Sequence, residues 1–476
     1  NMTTSVSLFG SSTWERCLGK VKVENNTRYR LVFIFITGGG SIRVPGACVD
    51  NIQIARNNCG KPTDLKVEVS GRTATFTWKS TAEMFNIRYT KQGSSVVQEI
   101  TGVKNTTLIL NLEHGVYSFS MQVICNGETS VWYSFPVVIV YDSKCFNYLD
   151  LQDEQCFFLD YMGKLYADID NDLDKAKGKK IDYGFASISS RHTIHYMEDE
   201  YDVRTYGSYD TNKQPVPPLR TIPDGEIASV RIGSWDNAKA ARIIYDFDVD
   251  TTEAAVLMLK YAVVMQFANH TDGKIFPPRF TLKVTNAETG KELSSCTSAD
   301  FTSKASGDGW YRNPANGIDG EVDGRDVCWR DWTTVGLNLT EFNGTHVRVI
   351  LTAYGCTASA HYGYAYFTLN CTSGRIEGIN CGDTPTNEFI APEGFDYHWY
   401  LASNPDDTLS TERIYPVDYD DDRQYKVHLT YKTNPECGFT LNACAIPRYP
   451  IPAATYEVYQ KDCKNYVRFK NDSHVR

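Results

Sequence analysis

Apolar and polar side chains alternate with a period of two along most of this chain, and few stretches hold a helical period. Arg279 to Val284 alternates cleanly, and in the run His346 to Ala353 the residues Val347, Val349, Leu351 and Ala353 share one face. Successive side chains on a strand point to opposite faces, so each such run predicts a half-buried strand. Asn343-Gly344, Asp308-Gly309 and Asp323-Gly324 supply turn chemistry between runs. The pattern predicts an all-β chain built as a string of β-sandwich domains. At 476 residues it exceeds what one hydrophobic core supports, so several domains are expected.

Five segments follow from the residues. In 60–142, Ala74 to Trp78 is a strand with a core tryptophan, Leu108, Leu110 and Leu112 alternate, and Tyr117 opens a strand just after His114-Gly115. A tyrosine in that place is the tyrosine-corner pattern, and the segment resembles a fibronectin type III domain. Ahead of it, in 1–59, Tyr29 to Phe35 and Cys48 to Ile54 look like the closing strands of a jelly-roll sandwich of the MAM or lectin-like kind. Residues 143–379, with Trp235, Trp310, Trp329 and Trp332, predict a large lectin-like sandwich. Residues 380–457, with Phe389 to Phe395, Tyr397 to Tyr400 and Gln424 to Leu429, predict an Ig-like sandwich. In 458–476, Asn465 to Phe469 reads as the opening strand of a PKD-like domain. The first residues carry no signal-peptide pattern, so the chain reads as a window on a longer string of modules.

Fourteen cysteines form no Cys-x-x-Cys pair and no Cys/His cluster at zinc spacing, so disulfides in an oxidising compartment are expected. That places the chain in a periplasm, at a cell surface or outside. The expected pairings are Cys17 with Cys48, Cys59 with Cys125, and Cys356 with Cys371. The pairing of Cys381, Cys437, Cys444 and Cys463 stays open. A net charge of -10 repels phosphate backbones, which disfavours nucleic acid as a partner. The apolar runs Leu31 to Ile36 and Ala254 to Phe267 are too short to span a bilayer, and Lys260 interrupts the second. Asn-x-Ser/Thr sequons stand at Asn1, Asn25, Asn105, Asn269, Asn338, Asn343, Asn370 and Asn471.

The chemistry-bearing residues are sparse. Asp168, Asp170, Asp172 and Asp174 set carboxylates at every second position, which suits Ca²⁺, though a solvated acidic loop explains them as well. The loop Asn316 to Gly324 and the cluster Asp418, Asp420, Asp421 and Asp422 are weaker calcium candidates. His192 and His195 lie three positions apart on an expected strand and point to opposite faces, which argues against a zinc site. No nucleophile elbow, zinc-protease helix or phosphate-cradling loop occurs, so a non-enzymatic chain that requires no cofactor is expected. Tyr311, Trp329, Trp332, Tyr362 and Tyr364 are the candidates for stacking on sugar rings, against the commoner role of such rings as sandwich core.

Further motifs are Ser190 to Tyr196, Ile222 to Arg231, Asp331 to Leu339, Gly363 to Phe367, Ala391 to Phe395 before Trp399, and Cys444 before Pro447-Arg448. With these the chain resembles the very large multidomain surface proteins that Bacteroidota secrete by the type IX system, some related to gliding and adhesion. The resemblance implies a following PKD domain and no N-glycan pathway. It implies O-glycans at Asp-Ser/Thr-apolar motifs, here at Thr408 and more loosely at Thr251, where plain turn chemistry is the other explanation. The expected function is adhesion or a structural stalk, with surface glycans or other surface proteins as partners and with edge-to-edge self-association open. The alternative is a set of carbohydrate-binding modules of a secreted hydrolase whose catalytic domain lies elsewhere. A third reading, a eukaryotic MAM and fibronectin receptor ectodomain, predicts N-glycans on several sequons.

Overall fold

The structure is a computed structural model. It describes residues 27–32, 60–125, 127–141, 156–160, 166–173, 182–183, 192–235, 239–252, 254–268, 276–303, 309–358, 360–378, 386–418, 423–445, 454–461 and 464–471, together with residues 143, 145, 146, 148, 270 and 307. The fold is all-β, with one short α-helix among the described residues. Two compact units divide the chain: residues 1–142 with 185–187, and 143–184 with 188–476. The jelly-roll tail expected over 1–59 and the Cys17–Cys48 bridge lie outside the described residues, apart from 27–32, which form no strand.

In the first unit the strands are β1 (Thr63–Ser70), β2 (Thr73–Lys79), β3 (Met84–Lys91), β4 (Gln98–Val103), β5 (Thr107–Asn111), β6 (Gly115–Cys125), β7 (Glu128–Ser134) and β8 (Val138–Val140). They form one sheet of order β1-β2-β5 and a second of order β4-β3-β6-β7, with β8 also on β6. Strict alternation on β2 turns Ala74, Phe76 and Trp78 inward, where Phe76 meets Phe119 at 4.3 Å between ring centroids. Burying each such ring stabilises the sandwich by roughly 2–3 kcal/mol. The Tyr117 hydroxyl donates to Glu113 O at 3.0 Å, which is the tyrosine-corner bond. Cys125 carries no disulfide here, and its expected partner Cys59 lies outside the described residues.

The second unit opens with β9 (Cys156–Asp160), α1 (Tyr166–Leu173), β10 (Asp182–Tyr183), β11 (His192–His195), β12 (Ser229–Ile232), β13 (Lys239–Asp248) and β14 (Val256–Gln266). It continues through β15 (Arg279–Asn286), β16 (Ala299–Thr302), β17 (Tyr311–Asn313), β18 (Val327–Asn338), β19 (His346–Tyr354) and β20 (Gly363–Thr372). A seven-stranded sheet of order β10-β11-β12-β20-β14-β18-β17 faces a five-stranded sheet of order β16-β15-β19-β13-β9. Register puts Phe280, Leu282 and Val284 of β15 beside Ala353, Leu351 and Val349 of β19, and on its other side β13 aligns Ala241, Ile243 and Tyr245 with the same three. This face closes on the other sheet, where Tyr261 stands 5.5 Å from Phe280.

Cys371, at the end of β20, is bonded to Cys145, which corrects the expected Cys356–Cys371 pair. The reason is strand geometry. Cys356 hydrogen-bonds His361 just before β20 begins, and a strand rises about 3.3 Å per residue, so the two sulfurs sit at opposite ends of β20.

A smaller module follows: β21 (Arg375–Gly378), β22 (Thr386–Ile390), β23 (Phe395–Leu401), β24 (Ile414–Asp418), β25 (Tyr425–Tyr431) and β26 (Asn434–Ala445). Its sheet of order β21-β26-β25-β23 packs with the pair β22-β24 around Phe389 and Trp399, whose rings lie 5.9 Å apart. Because β21 belongs to this sheet, the module begins before the boundary expected at 379/380. The boundary expected at 457/458 also shifts, since it falls inside β27 (Ala454–Lys461), which pairs with β28 (Lys464–Asn471) in a hairpin.

Sandwich and module are joined tightly. Only Ser373 and Gly374 separate β20 from β21, and Cys437 of β26 is bonded to Cys296, which lies after β15 in the sandwich. The Tyr431 hydroxyl donates to Gly336 O of β18 and accepts from Gly336 N at 3.1 Å. A side chain at Gly336 would meet the Phe439 ring at 2.5 Å, and one at Gly394, whose φ is +99°, would strike Thr334. These two positions require glycine because the module's backbone and rings lie directly on β18. Among the described residues no helix is long and apolar enough to cross a membrane.

Candidate functional site

The five rings expected to bind sugar come together on one face of the seven-stranded sheet. Antiparallel register aligns Tyr311 with Trp329, Trp329 with Val264, and Val264 with Tyr364. Directly paired residues point to the same side. Tyr362 stacks on Tyr364 at 6.0 Å, and Trp332 lies 6.3 Å from Tyr366, beyond a bulge in β18.

This aromatic face is roofed. The segment 196–228, between β11 and β12, lies across it and meets the polar tip of most of these rings. Asp202 Oδ2 accepts from the Tyr364 hydroxyl at 2.8 Å and from Tyr366 at 2.7 Å. Ser208 Oγ accepts from Trp329 Nε1 at 2.9 Å, and Arg220 O accepts from Trp332 Nε1 at 2.9 Å. Lys260 ties the far end by donating to Asp224 O and pairing with Glu226. Burial and the Asp202 charge hold the Tyr364 and Tyr366 hydroxyls well above the usual phenol range. Trp329, Tyr362 and Tyr364 are 2%, 6% and 0% exposed, so these three are packed under the roof, while Tyr311 and Trp332 are partly buried. Large rings with a polar handle are stable inside once that handle has a partner, and here the roof supplies it.

What stays open is a groove of about 150 Å³ where the roof meets β17, lined by Tyr209, Asp210, Thr211, Lys213, Trp310, Arg312, Pro314 and Ile318. Two backbone bonds between Tyr209 and Arg312, at 2.8 and 2.9 Å, fix its walls. Lys213 pairs with Asp319 at 2.6 Å. Arg312 lies 3.8 Å from the fully buried Asp326 carboxylate. Asp210 Oδ1 closes a turn by accepting from the Asn212 and Gln214 amides. The charged groups of its wall are thus engaged with neighbouring residues.

The calcium candidates are only partly described. Residues 166–173 form α1 rather than a loop. Asp170 pairs with Arg242 at 2.5 Å and accepts from the Tyr354 hydroxyl at 2.6 Å, so its charge is already matched. Asp174 lies outside the described residues, as do Asp420, Asp421 and Asp422. In the loop Asn316 to Gly324, Asp323 is held by Arg325 and Asn316, and the Arg325 guanidinium keeps its carboxyl well below the usual range. His192 and His195 are fully buried, and His195 pairs with Glu200 at 3.0 Å. Of the expected glycosylation sites, the Thr251 hydroxyl donates to Asn343, and Thr408 is exposed and hydrogen-bonded to His398.

Sequence reasoning missed the roof and Cys296. The roof's one signal was a long stretch of turn residues, such as Pro215, Pro217 and Pro218, between two strands that pair directly.

No protein-family model matches the chain, and no curated protein matches it. Among solved structures, carbohydrate-binding modules described as from the β-sandwich superfamily are 9% identical, covering 67% of this chain and 100% of that one at a TM-score of 0.18. A fibronectin type III domain of human collagen XX is 14% identical, covering 19% of this chain and 99% of that one at a TM-score of 0.16. The FN1–FN3 domains of chicken CNTN1 are 6% identical, covering 80% of this chain and 97% of that one at a TM-score of 0.14. With TM-scores this low, the fold assignment rests on strand order and register.

Proposed function

We propose that this chain is a non-enzymatic segment of a large extracellular surface protein that holds β modules in fixed series, for adhesion or as a structural stalk. The observation that carries this reading is the Cys296–Cys437 bridge across the junction between sandwich and module. A junction that transmits tension must not hinge. Here a two-residue link, the Tyr431 bonds to Gly336 and a covalent crossbar all oppose hinging. Oxidised cysteines persist outside reducing compartments, which supports an extracellular or cell-surface location. The resemblance to type IX-secreted surface proteins of Bacteroidota supports display for adhesion or gliding, with surface glycans or surface proteins as partners.

The test is retention of beads coated with the full chain on polysaccharide- or mucin-coated glass under shear. Native beads are expected to hold, and Cys296→Ser/Cys437→Ser beads to detach at lower shear. Equal detachment of native and uncoated beads, or release of soluble sugar with turnover, would defeat the proposal. A second reading, carbohydrate-binding modules of a secreted hydrolase, is favoured by the Tyr209 groove. On a glycan array it predicts hits that Tyr209→Ala weakens about tenfold.

A further inference from the structure

Where β19 turns into β20, three side chains outside both disulfides converge. They are Cys356, fully buried, His361 five residues on, and His270 just past the end of β14. Strand pairing brings them together. Gln266 N donates to Tyr362 O at 2.9 Å, and Cys356 N donates to His361 O at 2.8 Å, so the chain after β14 lies against this turn. The ligating atoms of all three lie within 4.8 Å of one another.

The Cys356 sulfur is already an acceptor. Its Sγ accepts from the backbone N–H of Ala360 at 3.2 Å and of His361 at 3.3 Å, and His361 Nδ1 lies at 3.3 Å. His270 Nε2 is buried and makes no hydrogen bond among the described residues, although its ring stands 5.3 Å from the His361 ring. A buried nitrogen of that kind is costly unless something accepts its lone pair.

We propose that His270, Cys356 and His361 form a binding site for a divalent transition-metal ion, zinc in particular, through two imidazole nitrogens and one thiolate. The donor set decides the class: nitrogen and sulfur suit zinc, whereas Ca²⁺ and Mg²⁺ require oxygen. The distances agree. Tetrahedral zinc with ordinary bond lengths separates its nitrogen and sulfur ligands by roughly 3.3–3.6 Å. Cys356 Sγ and His361 Nδ1 already stand at 3.3 Å, and the 4.8 Å limit needs a closure of little more than ~1 Å. Three protein ligands leave a fourth position for water or a donor from a bound partner. The ion would pin the segment after β14 to the β19–β20 turn, a crosslink at the end of the sandwich opposite the Cys145–Cys371 bridge.

The test uses the full chain, stripped with a chelator and titrated with Co²⁺ and then Zn²⁺. One Co²⁺ is expected to bind with a thiolate-to-cobalt charge-transfer band, and Zn²⁺ to abolish the band at one equivalent. Cys356→Ser should lose the band and weaken Zn²⁺ binding roughly 100-fold. His270→Ala should weaken binding by roughly tenfold or more and leave melting in chelator unchanged. If Cys356→Ser does not fold, the His270→Ala and His361→Ala titrations decide. Absence of the charge-transfer band in the native chain, unchanged Zn²⁺ affinity in the variants, or mass mapping of Cys356 into a disulfide would overturn the site.

Discussion

Asp202 shows how much one side chain holds under the roof. It is fully buried, accepts from two tyrosine hydroxyls, and takes the Arg204 amide on its other oxygen. Asp202→Ala leaves both phenols without an acceptor in a dry interior, at a cost of about 3–5 kcal/mol. Asp202→Asn keeps one carbonyl oxygen and should lose less. Urea unfolding of the full chain checks this, and an alanine variant as stable as native would refute the role. The tyrosines also set an alkaline limit. Burial raises Tyr261 and Tyr354 from 10.0 to about 12, and the Asp170 bond adds to the shift at Tyr354. Below about pH 10 both states hold the phenolic protons and stability is flat. Above it the unfolded chain ionises first, so stability falls between pH 10 and 12 by about 1.4 kcal/mol per group per pH unit. The share of phenolate absorbance due to the buried tyrosines should therefore rise late and together with loss of structure. Smooth titration of every tyrosine near pH 10 would contradict the burial.

Elements differ in how plainly the chain announces them. The alternation of β19 was legible because one face is core and the other is not, so Val347, Val349, Leu351 and Ala353 are at most 1% exposed while Arg348 is not buried. β14 shows no such alternation, because its inner face meets the other sheet and its outer face meets the roof, so both are apolar. The roof was illegible for the complementary reason. Its contacts are single polar bonds from Asp202, Ser208 and Arg220 to rings far along the chain, and such bonds impose no period. The five rings share one face of the sheet, and their cover was not foreseen. The every-second spacing of the aspartates suggested a loop where the chain forms α1, whose signal was Tyr166, Ile169 and Leu173 at helical spacing, with Ile169 and Leu173 fully buried. Cysteine pairing lies beyond local pattern altogether: Cys145 meets Cys371 only because of where β20 ends, and Cys356 is left to face two histidines.

At the scale of the whole molecule the two bridges interlock, since Cys296 lies inside the loop closed by Cys145 and Cys371 while Cys437 lies outside it. Tension entering before Cys145 crosses directly to Cys371, and the 226-residue separation between those cysteines is shielded from extension. A chain pulled from its ends should therefore lengthen far less than its residue count allows. Replacing Cys145, Cys296, Cys371 and Cys437 with serine frees that segment, which at about 3.5 Å per extended residue adds roughly 800 Å to the fully stretched length. Bridges that lie wholly outside residues 145–371 leave this difference intact, because they shorten the native and the variant paths equally. Single-molecule force spectroscopy reads the increment directly. A variant no longer than the native chain would mean that the bridges do not carry load, and the stalk reading would fall with them. The full increment would show covalent bonds, rather than sheet hydrogen bonds alone, setting how far this protein stretches.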